Sequence, residues 1–303
     1  MTADASPRTE NVAAGALWML ATTFLFVAVT VIVRHVGQDL PAAQNAFLRY
    51  LLGVVLILPF MTSVLRRPPG RRELSVHFLR GLVHGVGVVL WFYAMAHIPV
   101  AEVTALGFIT PIFVTVGAAI FLGERLKLRR VLAVGTGILG ALLILRPGFA
   151  EVSLGQLAQV GAAPLFAASY LLAKRLSSTA DPTVIVGFLS IFVALAILPL
   201  AVAQWVPPTL TQIGWLALTA VFATGGHYTM TKAVQMAPIT VTQPVQFLQL
   251  VWATLAGIAL FGEPLDPFVI LGGGIMVAAA TFISHREAQA ARRVTPPAAA
   301  TKT

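Results

Sequence analysis

The chain has 303 residues, 58% of them hydrophobic and 10% charged, with a net charge of +9. Soluble domains carry about 25% charged residues, so a soluble core is excluded and an integral membrane protein is indicated. The absence of cysteine removes disulfides, thiolate metal sites and cysteine nucleophiles. The bases lie in short loops with little aromatic interleaving, so no nucleic-acid partner is expected.

Residues 1–11 form a short polar N-terminal segment. The apolar run from Val12 lasts roughly 20 residues, too long for a signal-peptide core, and predicts a retained first helix over 12–33. Further apolar stretches follow at 42–62, 78–97, 100–121, 130–146, 155–174, 183–203, 211–234, 239–261 and 267–284. An all-α integral membrane protein with ten transmembrane helices is therefore predicted. The segment 285–303, rich in Ala, Pro, Thr and Arg, is expected to be a disordered cytoplasmic tail.

The charges orient these spans. Arg66, Arg67, Arg71 and Arg72 lie between the second and third. Arg125, Lys127, Arg129 and Arg130 lie between the fourth and fifth. Lys174 and Arg175 end the sixth, Lys232 lies near the end of the eighth, and Arg286, Arg292, Arg293 and Lys302 follow the tenth. The opposite side keeps only Arg34 and Arg146, at helix ends. Cytoplasmic loops carry the excess of Lys and Arg, which predicts both termini in the cytoplasm of a multi-pass inner-membrane protein.

The sequence also repeats itself. "FLGERLKLRR" (121–130) and "LFGEPLDPF" (260–268) place Glu124 and Glu263 139 residues apart. The same offset pairs Pro99 with Pro238, Phe108 with Phe247, Thr115 with Thr254 and Gly135 with Gly274. An offset of 140 pairs Gly15 with Gly155, Phe26 with Phe166 and Pro59 with Pro199. Two five-helix repeats follow, 12–146 and 155–284. Five is odd, so the second is inverted, an architecture of secondary transporters. The flank of the first motif is basic and that of the second is not, as opposite membrane sides require. Gly123 and Gly262 sit where a helix stops and a left-handed backbone is wanted. The following glutamates are expected to face water or to cap the next helix.

The segment "AEVTALGFITPIFVTVGAAIFLGERL", its partner "TVTQPVQFLQLVWATLAGIALFGEPL" and the ten spans resemble the paired EamA-type domains of the drug/metabolite transporter superfamily, over residues 12 to 284. The resemblance implies a ten-helix bundle around a central cavity. It also implies alternating-access movement of a small amphipathic organic solute: an amino acid, a vitamin such as riboflavin, a nucleoside-like compound or a metal-chelating metabolite. The partners expected are that solute and the lipid bilayer, the chain acting as a monomer or homodimer. No cofactor, metal or catalytic residue is expected. HExxH, GxSxG and an aspartate cluster are all missing from the sequence, which disfavours a membrane enzyme. No filter motif speaks for a channel.

Polar side chains within membrane spans are the functional candidates. Arg49 lies in "NAFLRYLLG", about 10 Å into the second span at 1.5 Å per residue. It either grips a carboxylate or phosphate of the solute or pairs with a helix end or Glu102. Glu102 is a proton-coupling candidate, the partner of Arg49, or a first-turn carboxylate favoured by the helix dipole. In "RGLVHGVGVVLWFYAMAH", Arg80, His84 and Trp91 share a helical face. His84 is a solute or proton ligand or a structural hydrogen-bonder. Trp91 is a stacking surface or an interfacial filler, and Arg80 snorkels. Gln243, Gln246 and Gln249 line a cavity or bond between helices. Pro111 and Pro244 disturb their helices. His227 and Tyr228, beside Gly225 and Gly226, complete the predicted substrate-binding set, with Trp18 and Tyr170 as weaker members.

Overall fold

The computed structural model describes residues 11–37, 39–62, 64, 68–122, 128–176, 180–237 and 239–294. Asn11 starts the first helix: its side chain accepts the amide of Ala14 at 3.0 Å, satisfying a donor that the helix leaves over. Helix α1 then runs Val12–Val36 and α2 Ala42–Ile57, the latter closed by a short 3-10 turn, Leu58–Phe60. Helix α3 (Arg71–His97) begins seven residues before the predicted third span, because its first two turns are polar yet still helix-forming.

The predicted fourth and ninth spans are each two helices. Helix α4 (Val100–Gly107) gives way to α5 (Thr110–Leu122), and α10 (Ile239–Gln246) to α11 (Leu248–Phe261). The interruptions fall at Phe108 and Phe247, which stand edge-to-face with ring centroids 5.1 Å apart. Pro111 is in the first turn of α5, where a missing N–H is tolerated. The remaining helices are α6 (Leu128–Leu145), α7 (Leu154–Leu176), α8 (Pro182–Ala203), α9 (Leu210–Met236) and α12 (Pro267–Val294). Helix α12 continues past His285, so residues 285–294 are helix rather than the predicted disordered tail. Apolarity ends there, but Arg286, Glu287, Ala288 and Gln289 are strong helix formers. Residues 295–303, and the corner Gly123–Glu124 of the first motif, lie outside the described residues.

No β-strand occurs among the described residues. Among the described residues, six helical stretches are long and apolar enough to cross a membrane: Val12–Val36, Ala42–Phe60, Arg71–His97, Val100–Gly117, Leu154–Ala173 and Thr183–Ala203. Shorter apolar helical stretches are Val131–Leu145, Leu248–Phe261 and Pro267–Phe282. Leu17, Leu139, Leu200 and Leu271 are exposed on the outside of the bundle, a surface suited to lipid rather than water.

The most extensive packing joins elements far apart in sequence: α1 with α9, α3 with α7, α2 with α8, and α6 with α12. Thr22 and Thr229 share a hydroxyl hydrogen bond of 2.8 Å between α1 and α9. Small residues let backbones meet. At the α6–α12 crossing a Cβ on Gly140 would lie 2.7 Å from the Gly272 carbonyl oxygen, so neither position has room for a side chain. Gly140→Leu should therefore cost about 1–3 kcal/mol by overpacking, read as a lower melting temperature of the purified protein in detergent. Gly135→Ala, on the same helix but facing open space, should leave the melting temperature unchanged or raise it.

Candidate functional site

Arg49 and Tyr50 are neighbours on α2 and both are buried, at 7% and 3% exposure. The Arg49 guanidinium carbon sits 3.9 Å from the Tyr50 ring centroid, a cation–π contact. Among the described residues no carboxylate lies within ion-pair distance of Arg49. In particular Arg49 does not pair with Glu102. The Tyr50 hydroxyl bonds His84 Nε2 at 3.0 Å, and the other ring nitrogen of His84, Nδ1, bonds Ser169 Oγ at 3.0 Å. One imidazole thus ties α2, α3 and α7 together. A neutral imidazole has one donor and one acceptor nitrogen, and a hydroxyl adapts to either.

His84 also lies against Phe166 at 5.0 Å, and Trp91 meets the same ring edge-on at 6.0 Å. A matching contact occurs between α1 and α9: His227 meets Phe26 edge-on at 5.3 Å. Gly87 underlies Phe166 as Gly226 underlies Phe26, with Cβ positions 3.2 and 3.1 Å from the rings. His84 and His227 are each within electrostatic reach of both Arg49 and Arg80. The interior therefore holds two arginines and two histidines, with aromatic rings beside the histidines.

The other candidates lie elsewhere. Arg80 does not snorkel: it is buried and donates to the Ile185 carbonyl of α8 at 3.1 Å. Gln246 and Gln249 are half-buried on either side of the break at Phe247; the side chain of Gln243 lies outside the described residues. Tyr228 is 57% exposed, with Trp18 edge-on at 6.3 Å and the Lys232 ammonium 5.7 Å from its ring. It stands apart from the His84 cluster. Tyr170, at 56% exposure, faces outward too.

Glu102 is 8% exposed in the first turn of α4 and accepts from Gln156 Nε2 at 2.5 Å. Gln156 is held by a capping box at the start of α7, its own amide donating to Ser153 Oγ at 3.1 Å while its Oε1 accepts the Ser153 amide at 2.8 Å. Gln159, one turn on, donates to the Val103 carbonyl at 3.0 Å. Asp266 accepts from Arg146 Nη2 at 2.6 Å and caps α12 through the Phe268 amide at 2.8 Å. Gly262 ends α11 in the left-handed region at φ 63°. Glu263 does not cap the next helix; its Oε2 accepts the Val100 amide of α4 at 2.8 Å. Sequence reasoning missed Tyr50, Ser169, Gln156 and Gln159. Tyr50 was signalled by its adjacency to Arg49, whereas the others become visible only when α7 is laid against α3 and α4.

The family model described as EamA-like transporter family matches the chain twice, over residues 13–146 and 153–285. A riboflavin transporter of Vibrio cholerae serotype O1 is 31% identical over 285 residues, covering 92% of this chain and 95% of that protein. A pseudopaline exporter of Pseudomonas aeruginosa is 30% identical, over 89% of this chain and 96% of that protein. An S-adenosylmethionine uptake transporter of Rickettsia bellii is 27% identical, over 90% and 94%. A solved crystal structure with 18% identity shares the fold at a TM-score of 0.59, covering 94% of this chain and 99% of that one. Apolar helices of bilayer length and these relatives define a multi-pass membrane transporter of small metabolites. The chain belongs to the EamA-like transporter family.

The hydroxyl of Tyr50 is separable from its ring. Tyr50→Phe should keep the Arg49 contact but leave a buried imidazole nitrogen without a partner, costing about 1–3 kcal/mol of stability. Ser169→Ala should act alike, and thermal melts of the double variant should show less than the summed loss, because both bonds hold one ring.

Proposed function

We propose that this chain carries an amphipathic organic solute with an anionic group and a flat ring across the cytoplasmic membrane, by alternating access, with Arg49 as the anchor for the anion. The observation that carries the reading is the Arg49 guanidinium, buried, laid on Tyr50 and without a carboxylate partner among the described residues. A buried charge calls for compensation, and a bound carboxylate or phosphate supplies it with paired hydrogen bonds. Phe26, Phe166 and Trp91 offer faces for a ring. Riboflavin and S-adenosylmethionine, the solutes that two relatives are named for, both carry a flat ring; S-adenosylmethionine also carries a carboxylate, and riboflavin, uncharged at neutral pH, serves as the control without an anion. His84, His227, Gln243, Gln246 and Gln249 complete the proposed lining.

The architecture proposed is two inverted five-helix units, ten spans in all, with both termini cytoplasmic. It is supported by the double match of one family model, by the helix breaks at Phe108 and Phe247 and by the basic loops of one side. It is also supported by packing that pairs α1 with α9 as it pairs α3 with α7.

We assign proton coupling to Glu102. Glu263 and Asp266 are tied to Arg34 and Arg146, whereas the partner of Glu102 is a neutral amide. Glu102 can take up a proton without leaving a cation unpaired.

Counterflow of labelled riboflavin, S-adenosylmethionine and carboxylated ring solutes in proteoliposomes tests the anchor. Arg49→Ala should weaken apparent affinity for a carried anion about 10- to 100-fold, the worth of about 1.5–3 kcal/mol for charged hydrogen bonds. Arg49→Lys should recover part of it. Unchanged affinity for every carried solute overturns the assignment. Uptake stimulated by an imposed pH gradient should become indifferent to that gradient in Glu102→Gln; retained stimulation removes Glu102 from coupling.

A further inference from the structure

Glu263 of the second Gly-Glu motif gathers four elements at one point. It follows α11 and its side chain is 10% exposed. Its Oε2 accepts the amide of Val100, the first residue of α4, at 2.8 Å, and its Oε1 stands 3.3 Å from Arg34 Nε near the end of α1. Arg34 in turn donates through Nη1 to the carbonyl of Ala96, near the end of α3, at 2.8 Å. Ala96 and Val100 flank the turn that joins α3 to α4. Gly257 on α11 leaves the lane for the carboxylate, since a Cβ there would come 2.5 Å from Glu263 Oε2.

What this carboxylate holds is the start of a short helix. Helix α4 has only 8 residues, and its other end is the break at Phe108. Beside it lies a cavity of about 100 Å³, lined by Pro99, Ala101, Glu102, Glu263 and Asp266 among others. Sites for small organic ligands occupy roughly 300–1,000 Å³, so this one is too small for a metabolite while α4 is held in place. The neighbouring Arg146–Asp266 pair joins α6 to α12, which already cross backbone to backbone. It braces a fixed crossing, whereas Glu263 restrains an end that has a break behind it.

We propose that Glu263, with Arg34, is the latch of the outer gate: it pins α4 across the mouth, and its release lets α4 swing about Phe108 to admit or discharge solute. The gate is the outer one in the orientation proposed above, on which this assignment of side rests. Glu263→Gln keeps an acceptor for the Val100 amide but removes the charge that Arg34 answers.

The natural absence of cysteine makes the test direct. Ala101→Cys, in the cavity beside α4, reports the gate, and Ala150→Cys, in the exposed loop before α7, reports the side of the membrane. Both are labelled with a membrane-impermeant maleimide in intact cells and in inverted vesicles. Labelling of the Ala101 cysteine should be about two- to fivefold faster with Glu263→Gln than without it, as expected for loss of a part-exposed ion pair. Arg34→Gln should act alike, and the double variant should add little, because both remove the same pair. Equal labelling rates in parent, Glu263→Gln and Arg34→Gln proteins of equal monodispersity overturn the latch. If the Ala150 cysteine reacts only in inverted vesicles, the orientation fails instead, and the latch is still judged by the Ala101 rates in those vesicles. Should Glu263→Gln fail to insert, the labelling rate in Arg34→Gln decides for or against the latch in the same way.

Discussion

A helix that breaks inside a bilayer has to find partners for the backbone groups it frees, because hydrocarbon offers none. This chain breaks two, and much of the interior is organised around them. The breaks meet at Phe108 and Phe247, whose rings stand edge-to-face. Gln159 of α7 donates to the Val103 carbonyl at the middle of α4, and Glu263 takes the first amide of that same short helix. Helix α4 is thus held at its start and its middle by residues more than fifty positions away in sequence. The polar residues committed to this support are already bonded, which singles out Arg49, laid on Tyr50, as the anchor proposed above.

That cluster combines two demands that usually conflict. A recognition site should be rigid, and a transporter must change shape. Both nitrogens of His84 are bonded to neighbouring helices, so the ring is positioned by α2 and α7 together. Arg49 rests on the ring of Tyr50, the residue that also holds His84. A tilt of α7 against α2 would strain the His84 bridge, so at the site proposed above one imidazole would couple solute contacts to helix movement. The gate proposed above assigns bending instead to a place where a helix is already interrupted, at Phe108.

The long apolar helices were legible because hydropathy and helix length report the same requirement, a bilayer to cross. Their interruptions were legible in part. The break at Phe108 lies in the turn before Pro111, whose missing N–H would have bonded the Gly107 carbonyl, whereas the break at Phe247 falls three residues beyond Pro244, which α10 contains. A break is set by what can receive the freed groups, and that is a matter of packing. The end of α12 was misjudged for a related reason: apolarity stops near residue 284, but helix propensity does not, and a helix leaving the membrane needs only the latter. In the site, Arg49, His84, Glu102 and His227 stood out as costly polar residues among apolar ones. Ser169 and Gln156 did not, since a serine within a helix or a glutamine in a first turn is ordinary until its partner on another helix is seen.

The reach of Glu263 has a consequence for how such a chain can be built. The carboxylate sits in one segment matched by the family model and the amide it satisfies in the other. The broadest helix contacts likewise run between those segments, not within them. Each segment packs most extensively against the other, so the two are threads of one weave rather than lobes joined by a linker. Cutting the chain at the exposed loop around Phe149 should leave two fragments that are useless apart and competent when made together. An ancestor of half this length would have needed a second copy of itself in the same membrane.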